Sequence, residues 1–213
     1  MGKVFGKLWV SRKVTVLIIG PDGAGKTSIL HNLSLGNITD RITDEDCRLE
    51  ALSGDRVQAV SWNMFGTRCP GGISAYYRTI DAVIYVVNDR GPPNHMAYAK
   101  LGFHYFSAIG CANAILAVLV NQRSAGEGTP LTLEEVRQTL DLDKLSNTYE
   151  IFPVIATTGE GLDHVQDWLS CQLGRKFTRQ AFFGSGDQQL KKQDTAPFHT
   201  RILNSFKGMF SKI

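Results

Sequence analysis

The sequence predicts a single three-layer α/β sandwich, on three observations. Continuous runs of β-branched residues and leucine alternate with stretches of helical spacing. The first apolar run, Val14 to Ile19, leads straight into a glycine-rich turn. No segment repeats at a fixed period. With 213 residues the chain is long enough for one such domain and its core, leaving roughly forty residues over.

In chain order, Val14 to Ile19 is a continuous run of β-branched residues and leucine that ends in Gly20 and reads as a buried parallel strand. Lys26 to Leu35 reads as a helix. Cys47 to Leu52 and Arg56 to Trp62 alternate in polarity, and Ser53-Gly54-Asp55 between them is a hairpin signal. Ala82 to Val87, Ala114 to Asn121 and Ile151 to Ala156 are further buried strands. Helical spacing lies between them, clearest at Leu131 to Leu145 and Leu162 to Leu173; Thr132 with Glu135 makes a capping box for the first. After Leu173 the pattern breaks. The Gly, Ser and Gln of residues 182–192 read as a flexible linker, and helical order returns over residues 200–213. There Ile202, Leu203, Phe206, Met209, Phe210 and Ile213 share a face, with Arg201, Lys207 and Lys212 off it.

Composition is that of an ordinary globular protein, with 43% hydrophobic and 20% charged residues. The net charge of +3 leaves no electrostatic footprint for nucleic acid. Its distribution is uneven. From Gly174 onward there are eight Lys/Arg against two Asp, which leaves the first 173 residues with fifteen basic against eighteen acidic side chains. A mildly acidic body therefore carries a basic tail. Cys47, Cys69, Cys111 and Cys171 show no metal-ligand spacing and read as reduced, mostly buried thiols of a cytosolic protein. No apolar run is long enough to span a bilayer, and no secretory h-region opens the chain.

Gly20-Pro21-Asp22-Gly23-Ala24-Gly25-Lys26-Thr27 fits G-x-x-x-x-G-K-[ST] at every fixed position, after a strand and before a helix. In that context Asp22 to Ser28 form a phosphate cradle. The glycines let backbone N–H groups turn toward the phosphates, and the helix start adds partial positive charge. Lys26 is placed for the β- and γ-phosphates and the Thr27 hydroxyl for Mg²⁺.

With this motif, the opening Met-Gly-Lys-Val-Phe-Gly-Lys-Leu-Trp, the continuation Ser28-Ile29-Leu30 and the later Asp167-Trp168-Leu169-Ser170-Cys171-Gln172-Leu173, the chain resembles the ADP-ribosylation factor and factor-like small GTPases over residues 1–173. The resemblance implies a P-loop fold with a mostly parallel six-stranded sheet, helices on both faces, and GTP with Mg²⁺ as ligands. It divides the chain into an N-terminal amphipathic segment (1–13), a GTPase-like domain (14–173), a basic flexible linker (174–199) and a C-terminal amphipathic helix (200–213).

The other nucleotide motifs depart from that pattern. Read without gaps, the switch-one threonine of the family falls at Asp44; a shifted loop brings Thr43 or Thr39 there instead. The Trp-Asp-x-Gly-Gly-Gln element reads Trp62-Asn63-Met64-Phe65-Gly66-Thr67. Gly66 keeps the N–H that would meet the γ-phosphate. Asn63 removes one charge from the metal site, and Thr67, at the water-positioning place, lacks the two-point reach of glutamine. The base-reading Asn-Lys-x-Asp is Asn121-Gln122-Arg123-Ser124, and Ser124 offers guanine less than a paired carboxylate acceptor. Ala156 stands in the last base-contacting loop.

At the start, Val4, Phe5, Leu8 and Trp9 form an apolar stripe among basic residues, the composition of an interfacial helix or of a segment that packs in a groove of the domain. Gly2 is placed for myristoylation, although Gly6 stands where the acylation pattern has Ser or Thr. The tail helix is a second membrane contact, or docks on the protein itself or a partner. Trp62 and Tyr77 match the family's partner-reading aromatics, with Cys47 in place of a phenylalanine. The expected protein is a weak or non-hydrolysing guanine-nucleotide binder. It recruits effectors or adaptors, is attached to membranes through both termini, and works in vesicle traffic at the Golgi or another endomembrane. A conventional GTP-hydrolysing switch and a nucleotide-independent scaffold are the rival readings.

Overall fold

A computed structural model describes residues 14–33, 37–44, 47–53, 57–62, 80–91, 94–108, 113–122 and 129–183. Seven strands form one sheet: β1 (Val14–Ile19), β2 (Asn37–Asp44), β3 (Cys47–Ser53), β4 (Val57–Trp62), β5 (Ala82–Asn88), β6 (Ile115–Asn121) and β7 (Tyr149–Val154). Their order across the sheet is β2-β3-β4-β1-β5-β6-β7. From β4 to β7 every pairing is parallel; β2 and β3 add an antiparallel ribbon at one side. The sheet is thus mostly parallel, as expected, and has one strand beyond the expected six. The additional edge strand is β2, which residue patterning does not announce.

Helices α1 (Lys26–Asn32), α2 (His95–Ala108), α3 (Leu133–Thr139) and α4 (Leu162–Phe183) cover the sheet. Successive strand residues point to opposite faces, so β1 divides its side chains between two cores. Leu17 and Ile19 join Val83, Tyr85, Val118, Phe103 of α2 and Val136 of α3. Val14, Val16 and Ile18 join Ile84, Leu119, Ile29 and Leu30 of α1, and Val165 and Leu169 of α4. Coverage on both faces is why these strands are apolar at nearly every position. Tyr85 is buried with its hydroxyl donating to Ala99 O at 2.6 Å, and burial pushes that phenol well above its ordinary range.

Three helix boundaries differ from the sequence expectation. α1 stops at Asn32, with Leu33 as its cap. The helix expected from Leu131 to Leu145 is two pieces. Thr132 accepts from Glu135 N and completes the capping box that starts α3, and Asp141 at φ 55 then separates α3 from a 3₁₀ turn over Leu142–Lys144. α4 runs to Phe183, so residues 174–183 are helical and not linker. Gly174 alone costs a helix only about 1 kcal/mol, and Arg175 to Phe183 contains neither proline nor a second glycine. On this helix Cys171 is exposed. Residues 1–13 and 184–213, with the terminal amphipathic segments, lie outside the described residues. Among those described, no helix is long and apolar enough to cross a membrane.

Candidate phosphate-binding site

The order of the sheet places β1 in its middle, with β4 on one side and β5 on the other. In open α/β sheets ligands sit outside the carboxyl ends of the strands, where the winding reverses. Four chain segments meet there: the loop Gly20–Gly25 after β1, the last residue of β5, the last residue of β6, and Ala156 just beyond β7.

Two glycines of the loop are there for space. A Cβ on Gly20 would stand 2.1 Å from Val86 O of β5. Gly25 has φ 97, and its Cβ would meet Asn121 Nδ2 at 2.7 Å and the Ala156 side chain at 3.0 Å. The loop is therefore pressed against β5, β6 and the β7 loop at Gly20 and Gly25, with no room for a side chain at either. Lys26 is buried, and its Nζ donates to Gly20 O at 3.0 Å and Pro21 O at 2.7 Å. Those two bonds fold the ammonium back over the loop that precedes it, as a residue meant for phosphates in that loop requires.

Side-chain amides fix the loop from outside. Asn121 Nδ2 donates to Ala24 O at 3.0 Å, and Asn121 Oδ1 accepts from Ala156 N at 2.9 Å. Asn88 Nδ2 donates to Gly23 O at 3.2 Å. In a trans peptide a carbonyl and the following N–H point opposite ways. Holding Ala24 O toward the strand ends therefore turns the Gly25 N–H to the other side of the loop, and Ala24 N closes the turn on Pro21 O at 3.3 Å. From the far side, Asn32 of α1 donates to Ala156 O at 2.7 Å, linking the helix after the loop to the loop after β7.

Of the residues expected at the site, Asp22 to Ser28, Asn121 and Ala156 are brought together. Asp22, Gly23 and Thr27 are exposed, while Ala24 and Lys26 are buried. The role found for Asn121 is to tie three loops together, and the Ala156 N–H is bonded to Asn121 Oδ1. Gly66, Thr67, Ser124, Tyr77 and Gly2 lie outside the described residues. Trp62 ends β4, paired with Leu49 of β3.

The donor set fits a triphosphate and one ligand of Mg²⁺. The loop supplies N–H groups and the Lys26 ammonium, and the exposed hydroxyl of Thr27 in the first turn of α1 is a hard oxygen of the kind Mg²⁺ takes. The candidates for a second oxygen are elsewhere. Thr39, Thr43 and Asp44 are in β2, where Thr43 pairs with Arg48 and Asp44 with Cys47, and the register slips between Ile38 and Asp40. β2 is three strands from β1, on the order of 14 Å at normal inter-strand spacing.

Asn88, Asn32 and His95 escaped sequence reading. A signal for Asn88 was present: Val86-Val87-Asn88 and Leu119-Val120-Asn121 are two apolar runs ending in asparagine, and the two asparagines face each other in register.

The sheet order and the loop define a P-loop nucleotide-binding fold of the small GTPase type. Its likeness to the solved structure of the Arl6 BBS3 small GTPase from Trypanosoma brucei with bound nucleotide analogue GppNp, at a TM-score of 0.59, 23% identity and coverage of 76% of this chain and 98% of that one, concerns the fold. The sequence profile of the ADP-ribosylation factor family matches residues 1–173, and the chain belongs to that family. It is 37% identical over 172 residues to ADP-ribosylation factor-like protein 1 of Drosophila melanogaster, covering 79% of this chain and 94% of that protein. The protein of the same name from Caenorhabditis elegans is 35% identical over 178 residues, covering 81% and 96%.

Proposed function

We propose that this chain is a guanine-nucleotide-binding member of its family that turns nucleotide over slowly or not at all, and that it acts by recruiting partner proteins to an endomembrane in vesicle traffic. The observation that carries the binding half is the seat itself: a P-loop with a buried Lys26, fixed by Asn88 and Asn121 at two consecutive carbonyls. GTP with Mg²⁺ would supply the triphosphate that the loop and Thr27 are built to receive. The slow-turnover half rests on sequence: Thr67 stands at the water-positioning place and Asn63 in place of the metal-site carboxylate. Recruitment rests on the amphipathic termini, on Gly2 as an acylation position, and on Trp62 and Tyr77 as partner contacts, with the peripheral cytoplasmic face of a membrane as the place of action.

The test is the nucleotide content of freshly purified protein, followed by a GTP and ATP thermal-shift titration in Mg²⁺ and a single-turnover hydrolysis assay. Bound guanine nucleotide, or a GTP-selective shift, with turnover at or below the slow intrinsic level of small GTPases (on the order of 10⁻⁴ per second) is the expected result. Brisk hydrolysis would make the protein a conventional switch, and absence of any nucleotide or shift would sink the binding half. Deleting residues 200–213 is expected to weaken partition to anionic liposomes; unchanged partition would remove the tail from the membrane role.

A further inference from the structure

The last residue of β5 carries a side chain for which the nucleotide motifs do not account. Asn88 is 3% exposed and lies beside Asn121 at the end of the parallel β5–β6 pair. Both ends of its carboxamide and its backbone N–H are engaged. The carboxamide Nδ2 donates to Gly23 O at 3.2 Å, Oδ1 accepts from Asn121 Nδ2 at 3.4 Å, and the backbone N–H donates to Nε2 of the buried His95 at 3.2 Å. That imidazole nitrogen accepts from a backbone amide and so carries no proton. A carboxamide has both a donor and an acceptor, and Asn88 uses them in opposite directions, one on the phosphate loop and one on the next strand. The result is a chain of amides from Ala156 N through Asn121 and Asn88 to the carbonyl of Gly23.

We infer that Asn88 is a positioning residue of the phosphate loop. With Asn121 it holds the two consecutive carbonyls of Gly23 and Ala24 and so sets the peptide planes that face a triphosphate. Through His95 it ties that setting to the first residue of α2. The inference rests on the phosphate-binding reading proposed above. It requires a neutral carboxamide at this position: an isosteric carboxylate would keep the acceptor for Asn121 and place a second acceptor against Gly23 O, where a buried donor is needed.

The full chain with Asn88→Asp, and with Asn88→Ala as a second variant, tests this by three measurements. These are the affinities for Mg·GTP and for Mg·tripolyphosphate, the amide hydrogen exchange of residues 23–25 in nucleotide-free protein, and the ligand-free Tm. Both ligands are expected to bind about tenfold more weakly, by the same factor for each, since the loss of one buried hydrogen bond is of that size. Exchange at residues 23–25 is expected to quicken while exchange in the strands of the sheet stays unchanged. A loss for GTP without loss for tripolyphosphate would assign Asn88 to base reading and overturn the inference. Faster exchange throughout the sheet with a large drop in Tm would make its role structural and also overturn it. If the parent chain binds neither ligand, the nucleotide reading fails. Loop exchange alone then decides the positioning role, and unchanged exchange at residues 23–25 ends it.

Discussion

The carboxyl end of the sheet and the outer seam between α2 and α3 are held in opposite ways. At the sheet end, Lys26 apart, the anchors are neutral and buried or part-buried: Asn88 and Asn121 to loop carbonyls, Asn32 to Ala156 O, and a backbone N–H to His95. At the seam they are charged and lie at the surface. Asp141 collects Lys144 at 2.8 Å, Lys100 at 3.0 Å and His104 at 3.3 Å. A loop meant for a polyanion gains from anchors that give direction without adding negative field, which leaves the Lys26 charge undiluted. A seam between helices needs only a tether, and exposed ion pairs are weak and screened by salt. The buried amides should therefore be sensitive to single substitutions, and the seam should not.

The severest break is expected at Gly20. A methyl group there would press on Val86 O at 2.1 Å, a backbone atom of a central strand that cannot yield cheaply. Gly20→Ala should lower stability by about 3 kcal/mol or more, read from urea unfolding; a loss under about 1 kcal/mol would mean that β1 and β5 slide apart more easily than this packing implies. Next is Lys26→Ala. The nucleotide-linked thermal shift should vanish, with affinity reduced at least roughly hundredfold, while the ligand-free Tm moves little. A persistent shift would place the nucleotide somewhere other than this loop.

The amino end of the sheet gives an internal control. Asp81 is buried, its Oδ2 accepts from Thr15 N at 3.0 Å, and its backbone joins Thr15 O and Ile115 N. Asp81→Ala strands the Thr15 N–H and should cost about 1–3 kcal/mol of folding stability. Nucleotide affinity should stay the same, because the change lies at the opposite pole from the loop. Asp81→Asn keeps an acceptor oxygen and should cost less. An affinity change in either variant would show that the two ends of the sheet are coupled, and the contrast drawn above would have to be redrawn.

The parts of this molecule that were legible in sequence are those set by local pattern. Val14 to Ile19, Ala82 to Val87 and the glycine spacing from Gly20 to Gly25 announce two-sided burial and a cradle, and Thr132 with Glu135 announces the start of α3. What was hidden depends on partners far along the chain. β2 is polar at six of its eight positions and is a strand through its pairing with β3 at the edge of the sheet. Asn88 reads as one polar residue after a strand; its meaning lies in Gly23, 65 residues earlier. The run of α4 past Leu173 is hidden for a different reason: the apolar spacing lapses there, although the residues as far as Phe183 permit a helix. Asn121 was read as a base contact from its motif, and its bonds to Ala24 O and Ala156 N show how a motif residue also serves the scaffold.

The smallest expected effect is at Asp141. Hydrogen bonds from Lys144 and then Lys100 hold this carboxyl well below the usual carboxylate range. A carboxyl depressed in the folded state stabilises above its unfolded pKa of about 3.9, and that contribution drains away as pH falls below it. Asparagine tolerates the left-handed backbone of φ 55 at this position, so Asp141→Asn removes charge with little backbone cost. The variant should show a small drop in Tm at neutral pH. The gap to the parent should close as pH falls below about 4, and should also shrink in about 1 M salt, where the Debye length is near 3 Å. A gap that persists under both conditions would mean that Asp141 serves through its backbone shape and not through its ion pairs, and the seam would then be held more like the sheet end than its charges imply.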